Sequence, residues 1–282
     1  MSASTGSATG NGASESLIRS AVKPRRFGSW YVAEHRIRAV QGYYKTLLAT
    51  SIGSPFMYLF ALGVGLATLV DKNSAAFGGV SYLQFVAPAL IASAAVTATS
   101  DECTYPVLMG FKWNPIFFGM NAAPISGNQI VNGIFIGVLA RVLPTTVIYY
   151  LVMLVFGAVP SPTGIVTIPI SILTGFAFGL LIARYMARVE EDVGQPAFIR
   201  RFVVAPLLLF SGTFFPLSQM PIYLQWIGWI SPLWHGTELG RDVSYGQSEP
   251  AWLIVVHVVY PLALCVYGWI ATQRVVTRRL NK

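Results

Sequence analysis

Residues Ile130–Phe156 read "IVNGIFIGVLARVLPTTVIYYLVMLVF". A helix crosses the hydrocarbon core of a bilayer with roughly 20 apolar residues, and this run is longer than that. It holds one charge, Arg141. A run so apolar is a membrane span, and a charge within it is a functional candidate by default because leaving water is costly. At 1.5 Å per residue, Arg141 lies roughly 18 Å into the run, near the bilayer midplane.

The rest of the chain repeats the pattern. Further apolar runs cover Leu47–Val70, Tyr82–Ser100, Ile165–Ala187 and Trp252–Thr272, with a short one at Phe202–Phe215. Six spans therefore account for most of the 282 residues, and one membrane domain is expected over 28–282. Composition agrees: 54% of the residues are hydrophobic and 11% charged, against about 25% charged in soluble domains. Residues 1–27 open with "MSASTGSATGNGASES", which lacks an apolar core. They read as a disordered cytoplasmic tail and not as a signal peptide. Cys103 and Cys265 fall in or beside apolar runs and make no disulfide framework.

The net charge of +8 reports topology rather than a nucleic-acid surface, since cytoplasmic loops collect Lys and Arg. Arg19, Lys23, Arg25, Arg26, Arg36, Arg38 and Lys45 precede the first span. Lys112 follows the second, Arg184, Arg188, Arg200 and Arg201 flank the fourth-to-fifth turn, and Arg274, Arg278, Arg279 and Lys282 follow the sixth. Only Lys72 and Arg241 fall on the other side. Both termini are thus expected in the cytoplasm, with the chain in the cell membrane.

Before the first span, Trp30, Ala33, Ile37, Val40 and Tyr44 recur at helical spacing, while Glu34, Arg38, Gln41 and Lys45 lie off that stripe. This predicts an amphipathic helix in the cytoplasmic interface, or one packed on its own protein. Gly133 and Gly137, and again Gly175 and Gly179, are four apart, a spacing that lets helix backbones approach in lipid.

Several chemistries are missing. There is no G-x-x-x-x-G-K-[ST], so no nucleotide is hydrolysed through a P-loop here. No acidic residue falls at the centre of a span so placed, which argues against an ion-coupled carrier. It also leaves Arg141 without an acidic partner, donating to groups such as Thr145 or Ser171 or contacting substrate. No metal site is expected. His235, Glu238 and Asp242 share a helical face, but a Glu238–Arg241 pair at i, i+3 explains them better than a metal.

The stretch Ser211–Asp242, "SGTFFPLSQMPIYLQWIGWISPLWHGTELGRD", is apolar yet broken by Pro216, Pro221 and Pro232. With "AAPIS" at Ala122–Ser126, "FSGTFFPLSQMP" at Phe210–Pro221 and "PLWHGTELGRD" at Pro232–Asp242, it resembles the ABC-2-type exporter permeases of the nodulation-factor (lipo-oligosaccharide) and daunorubicin-type drug exporter group. The resemblance covers roughly residues 28–280. One departure is Trp113-Asn114-Pro115, where many relatives are more basic.

The resemblance implies an all-α integral membrane fold. It would have six transmembrane helices, an N-terminal interface helix, and re-entrant extracellular helices between spans five and six, with Tyr223, Trp226, Trp229 and Trp234 at the headgroup boundary. It implies a permease without an ATPase site or cofactor of its own, ATP being bound by a partner ATPase subunit. That partner would dock on a cytoplasmic loop containing Phe117, Phe118, Gly119, Met120, Asn121, Ala122, Pro124 and Ile125. It further implies a second permease subunit, identical or not, and an amphipathic substrate: a lipid-linked glycan, a lipo-oligosaccharide or a hydrophobic drug. Arg141, Phe214, Phe215, Pro216, Trp226 and Trp229 are the pathway candidates. The alternative is a membrane enzyme acting on lipid-linked sugars, for which only the His235–Asp242 group would qualify.

Overall fold

A computed structural model describes residues 8–67 and 79–282, which include no β-strand. The end of the first apolar run and Lys72 lie outside these residues. Among the described residues, five helices are long and apolar enough to cross a membrane. They are α2 (Tyr44–Phe60, running on through a π-helical turn, Ala61–Leu66), α3 (Tyr82–Phe111), α5 (Gly127–Val155), α6 (Thr167–Met186, led in by a 3₁₀ turn, Pro162–Val166) and α10 (Ala251–Leu280).

The short fifth run folds as α7, which passes from Gln195–Phe198 through a π-helical stretch, Ile199–Val204, to Ala205–Phe210. Its sixteen residues, 195–210, extend roughly 24 Å at 1.5 Å each.

Helix α1 (Ala8–Gln41) is kinked at Phe27. It begins within the segment expected to be a disordered tail, and residues 8–27 are helical there. Ser16, Ile18, Val22, Arg25, Arg26 and Phe27 stand exposed on it, so these side chains add no packing to this part. Beyond the kink, α1 packs on α5. A Cβ added at Gly133 would lie 2.5 Å from the Ser29 carbonyl oxygen, and one at Gly137 would lie 3.0 Å from Arg36 Cβ. The glycine pair is therefore the groove that receives α1. The inward face carries Gly28, Val32, Ala33 and Arg36, while Trp30 and Tyr44 from the expected apolar stripe are exposed. A stripe of apolar residues could not reveal this face, because backbone clearance on the partner helix selects it.

Gly175 and Gly179 do the same for α6 against α3: a Cβ at Gly175 would lie 2.7 Å from Thr99 Oγ1 and 2.8 Å from the Ala95 carbonyl oxygen. Ser81 and Ser126 cap α3 and α5 through reciprocal bonds with Gln84 and Gln129, the capping-box arrangement. "AAPIS" thus ends at the cap of α5.

The broken stretch becomes a 3₁₀ turn (Leu217–Gln219), α8 (Ile222–Ile230) and α9 (Pro232–Tyr245). Pro216 and Pro221 precede the first two elements and Pro232 opens α9. Proline is tolerated at such starts because no amide donor is needed there. Helix α8 exposes Ile222, Tyr223, Trp226, Trp229 and Ile230, whereas α9 is buried against α3, α6 and α10.

Candidate functional site

A cavity of about 670 Å³ opens between α2, α3, α5, α7 and the turn after α7. Its lining includes the apolar Leu47, Leu90, Ile199 and Leu208. It is also studded with hydroxyls: Thr50 and Ser51 on α2, Ser93, Thr97, Ser100 and Thr104 on α3, and Thr145 on α5. The α3 hydroxyls recur every three or four residues, which puts them on one face of that helix. Most are satisfied within their own helix. Ser93 donates to the Ala89 carbonyl at 2.7 Å, Thr97 to Ser93 at 2.9 Å and Thr145 to Arg141 at 3.0 Å. Back-bonding of this kind uses the hydroxyl proton and leaves the oxygen free to accept. Thr213 is buried with its Oγ1 unpaired, and it lines the same cavity.

Arg141 lines this cavity too, but it does not lack an acid. Its Nη1 bonds Glu102 Oε1, and the other oxygen of Glu102 accepts from Arg36 Nη2 at 2.6 Å. The expectation of an unpaired Arg141 is therefore wrong. The reason is that α3 runs to Phe111, well past the apolar run ending at Ser100. Glu102 therefore faces the bundle with its side chain only 5% exposed. One carboxylate thus ties α1, α3 and α5 together. In the turn between α1 and α2, burial first and then the Glu102 charge push the Tyr43 phenol above its ordinary value. The neighbouring Asp101 meets Arg200 of α7 at 3.5 Å, both partly exposed. Such a pair contributes little.

Of the pathway candidates, Arg141 and Phe214 line the cavity; Phe215, Pro216, Trp226 and Trp229 do not. Phe214 is held there because its carbonyl accepts from Tyr82 Oη at 3.1 Å. Trp226 and Trp229 point outward from α8, more than 45% exposed. Trp234, expected at a headgroup boundary, instead packs edge-on between His235 and His257.

Glu238 and Arg241 form the expected i, i+3 pair at 2.8 Å. It is buried rather than interfacial. Arg241 also donates to the Gly212 carbonyl at 2.7 Å and the Phe85 carbonyl at 3.2 Å, and its guanidinium lies 3.6 Å from the centroid of the Phe85 ring. With His235, Glu238 and Arg241 turned into the protein, this group gives a membrane enzyme no open acid–base site. No cluster of metal-binding side chains occurs among the described residues.

The loop between α3 and α5 contains α4 (Ile116–Ala122). Phe117 is a correction: it is 3% exposed, edge-on to Phe111 at 5.0 Å, over Gly110. Met120 and Ile125 are half-buried against the same core. Asn121 reaches the Leu280 carbonyl at 3.5 Å. What faces outward is Trp113, Phe118, Gly119, Ala122 and Pro124. A helix of two turns must bury one side, and sequence alone did not say which.

Comparison with known proteins agrees with this architecture. The model of the ABC-2 type transporter family matches residues 36–245. Nodulation protein J of Rhizobium leguminosarum bv. trifolii is 28% identical over 226 residues, covering 79% of this chain and 82% of the relative. Nodulation protein J of Rhizobium leguminosarum bv. viciae is 27% identical over 257 residues, covering 84% and 90%. The inner membrane transport permease YadH of Escherichia coli K12 is 24% identical over 210 residues, covering 73% and 80%. No solved structure matches the chain. The apolar helices, the polar-walled cavity and the family match over most of the length lead to one assignment: the chain belongs to the ABC-2 type transporter family and is a transmembrane permease.

Proposed function

We propose that this permease exports an amphipathic molecule across the cell membrane, driven by an ATPase subunit that docks on the α4 loop. The observation that carries the reading is the cavity, whose lining mixes apolar side chains with hydroxyl acceptors and holds two guanidiniums, Arg141 and Arg200, and the Asp101 carboxylate. A ligand with an apolar tail and a polar head group matches both surfaces. A lipid-linked glycan, a lipo-oligosaccharide or a hydroxylated hydrophobic drug has that character. Trp113, Phe118 and Pro124 are exposed on and beside α4, apolar surface that a partner would cover. In this reading α7 completes six spans, both termini are cytoplasmic, and a second permease copy or homologue completes the pathway.

The test is to fill the cavity. Thr145→Trp puts an indole where Thr145 borders the space. Export by the reconstituted permease–ATPase complex should fall at least tenfold while membrane insertion and ATPase binding stay normal. Unchanged export by a well-inserted Thr145→Trp complex would remove the cavity from the pathway.

A further inference from the structure

A second polar system lies away from the cavity, among α8, α9 and the start of α10. His235 Nε2 sits 3.1 Å from the Trp229 carbonyl, His235 Nδ1 sits 2.7 Å from His257 Nδ1, and His257 Nε2 sits 3.0 Å from Glu249 Oε2. Gln247 then joins Glu249, at 3.4 Å, to Glu238, at 2.6 Å. Glu238 pairs with Arg241, which donates to the Gly212 carbonyl. The chain of contacts is continuous from Gly212 to Trp229. It therefore holds both ends of the intervening segment, which includes all the exposed aromatic residues of α8.

The proton count follows from donor and acceptor roles. The Trp229 carbonyl only accepts, so His235 Nε2 carries a hydrogen. The contact between the two Nδ1 atoms takes one more, and His257 Nε2, which lies 3.0 Å from Glu249 Oε2 without forming a hydrogen bond, has room for a third. Three protons on two imidazoles and one carboxylate fill these positions and leave the group with no net charge. A fourth proton leaves a buried positive charge and, once it sits on the rings, sets N–H against N–H. Burying an uncompensated charge is costly.

We propose that this chain is a proton-counting latch on residues 212–229, closed at neutral pH and released by acidification of the face on which α8 lies. Among the described residues, the titratable side chains packed against His235 are His257 and Tyr260. Helix α10 presents His257 and Tyr260, whose rings lie 4.9 and 4.6 Å from it, and α8 presents only a carbonyl. On α9 itself the nearest charges are Glu238 and Arg241, already paired. Helix α6 meets α9 through Thr174 at Gly236, and α3 meets it through Pro88 at Gly240, neither of which titrates. The direction is consistent with burial: desolvation, the largest cause, pushes His235 down to about 4 with a lesser contribution from His257, against the opposing effects of the Trp229 carbonyl and of Glu249. The released ring returns to its ordinary value of about 6.5. The open state thus binds more protons between those two values. Closure is fully stable above about pH 6.5, and the open-to-closed ratio rises roughly tenfold per unit as pH falls through that window.

The experiment uses the full-length permease alone in nanodiscs, so it depends on neither substrate nor ATPase. Spin labels go on Tyr223→Cys in α8 and Val255→Cys in α10, both exposed, with Cys103 and Cys265 replaced by Ala. At pH near 7.5 a single short distance is expected, and a longer population should grow as pH falls towards 4. In His235→Gln the amide can donate to Trp229 and accept from His257 but takes no proton, so the distances should ignore pH. Should that variant not fold, Glu249→Gln provides the second arm. It removes the charge that compensates the imidazolium, so the open population should keep rising below pH 4, where that of the unsubstituted permease levels off. An acid-independent distance in the unsubstituted permease would overturn the latch. So would unaltered acid release in His235→Gln, or a levelling near pH 4 in Glu249→Gln.

Discussion

Glu102→Gln is the most informative single substitution in the bundle. The carboxylate is 5% exposed and faces two guanidiniums, Arg36 and Arg141, whose side chains are 12% and 19% exposed. The neutral amide leaves both cations without a counter-ion in the interior. Removing one partner of a buried ion pair costs about 3–5 kcal/mol, and two orphaned cations place the cost at the upper end. For a chain of this size, ~1 kcal/mol corresponds to roughly 2 °C in unfolding temperature, so a drop of roughly 8–10 °C is expected.

The companion variant decides the mechanism. Arg36→Met alone leaves a one-to-one Glu102–Arg141 pair and should cost only about 1.5 kcal/mol, the worth of a charge-assisted hydrogen bond. Added to Glu102→Gln, it removes one orphaned charge and should recover about 2 kcal/mol of the loss, a non-additivity typical of contacting groups. The assay is thermal unfolding of the purified permease in nanodiscs, with all four proteins compared. If Glu102→Gln unfolds within about 2 °C of the parent, or if Arg36→Met lowers its stability further, the two-cation account is refuted.

Phe118→Asp, on the exposed face of α4, should abolish ATPase co-purification at unchanged permease yield. Phe117→Asp should instead reduce the yield itself, because that ring is buried against Phe111. Gly175→Leu should prevent stable folding, since its Cβ alone would lie 2.8 Å from the Ala95 carbonyl oxygen; yield and gel-filtration profile check it. Replacing Trp226 and Trp229 with Ala should impair export without changing unfolding temperature by more than about 2 °C, because both rings lie outside the packed core. Quenching of single-Trp variants by brominated lipid tests their contact with the bilayer. A cysteine at Ser248 should react with an impermeant maleimide on intact cells, and cysteines at Glu191 or Asn281 should not.

The sequence alone was enough to show that this is an all-helical membrane protein. Long apolar runs have few ways to satisfy their backbone in lipid other than by forming helices. It also marked the breaks in the segment between α7 and α10, since proline cannot donate an amide and opens elements rather than continuing them. The Glu238–Arg241 pair was legible because helix geometry fixes i, i+3 neighbours. Composition could not show where a helix that carries polar residues ends. Helix α3 continues to Phe111, so Glu102 became an interior charge, and Arg141 gained a partner 39 positions away. Such pairing depends on which helices lie side by side, and no local pattern records that. The hydroxyls of α3 line a cavity only because α2, α5 and α7 surround them. The inward turn of Phe117, Trp234 and Arg36 has the same origin. A helix exposes whichever face its neighbours leave uncovered, and the neighbours are chosen by glycine clearances and buried charges contributed by distant parts of the chain.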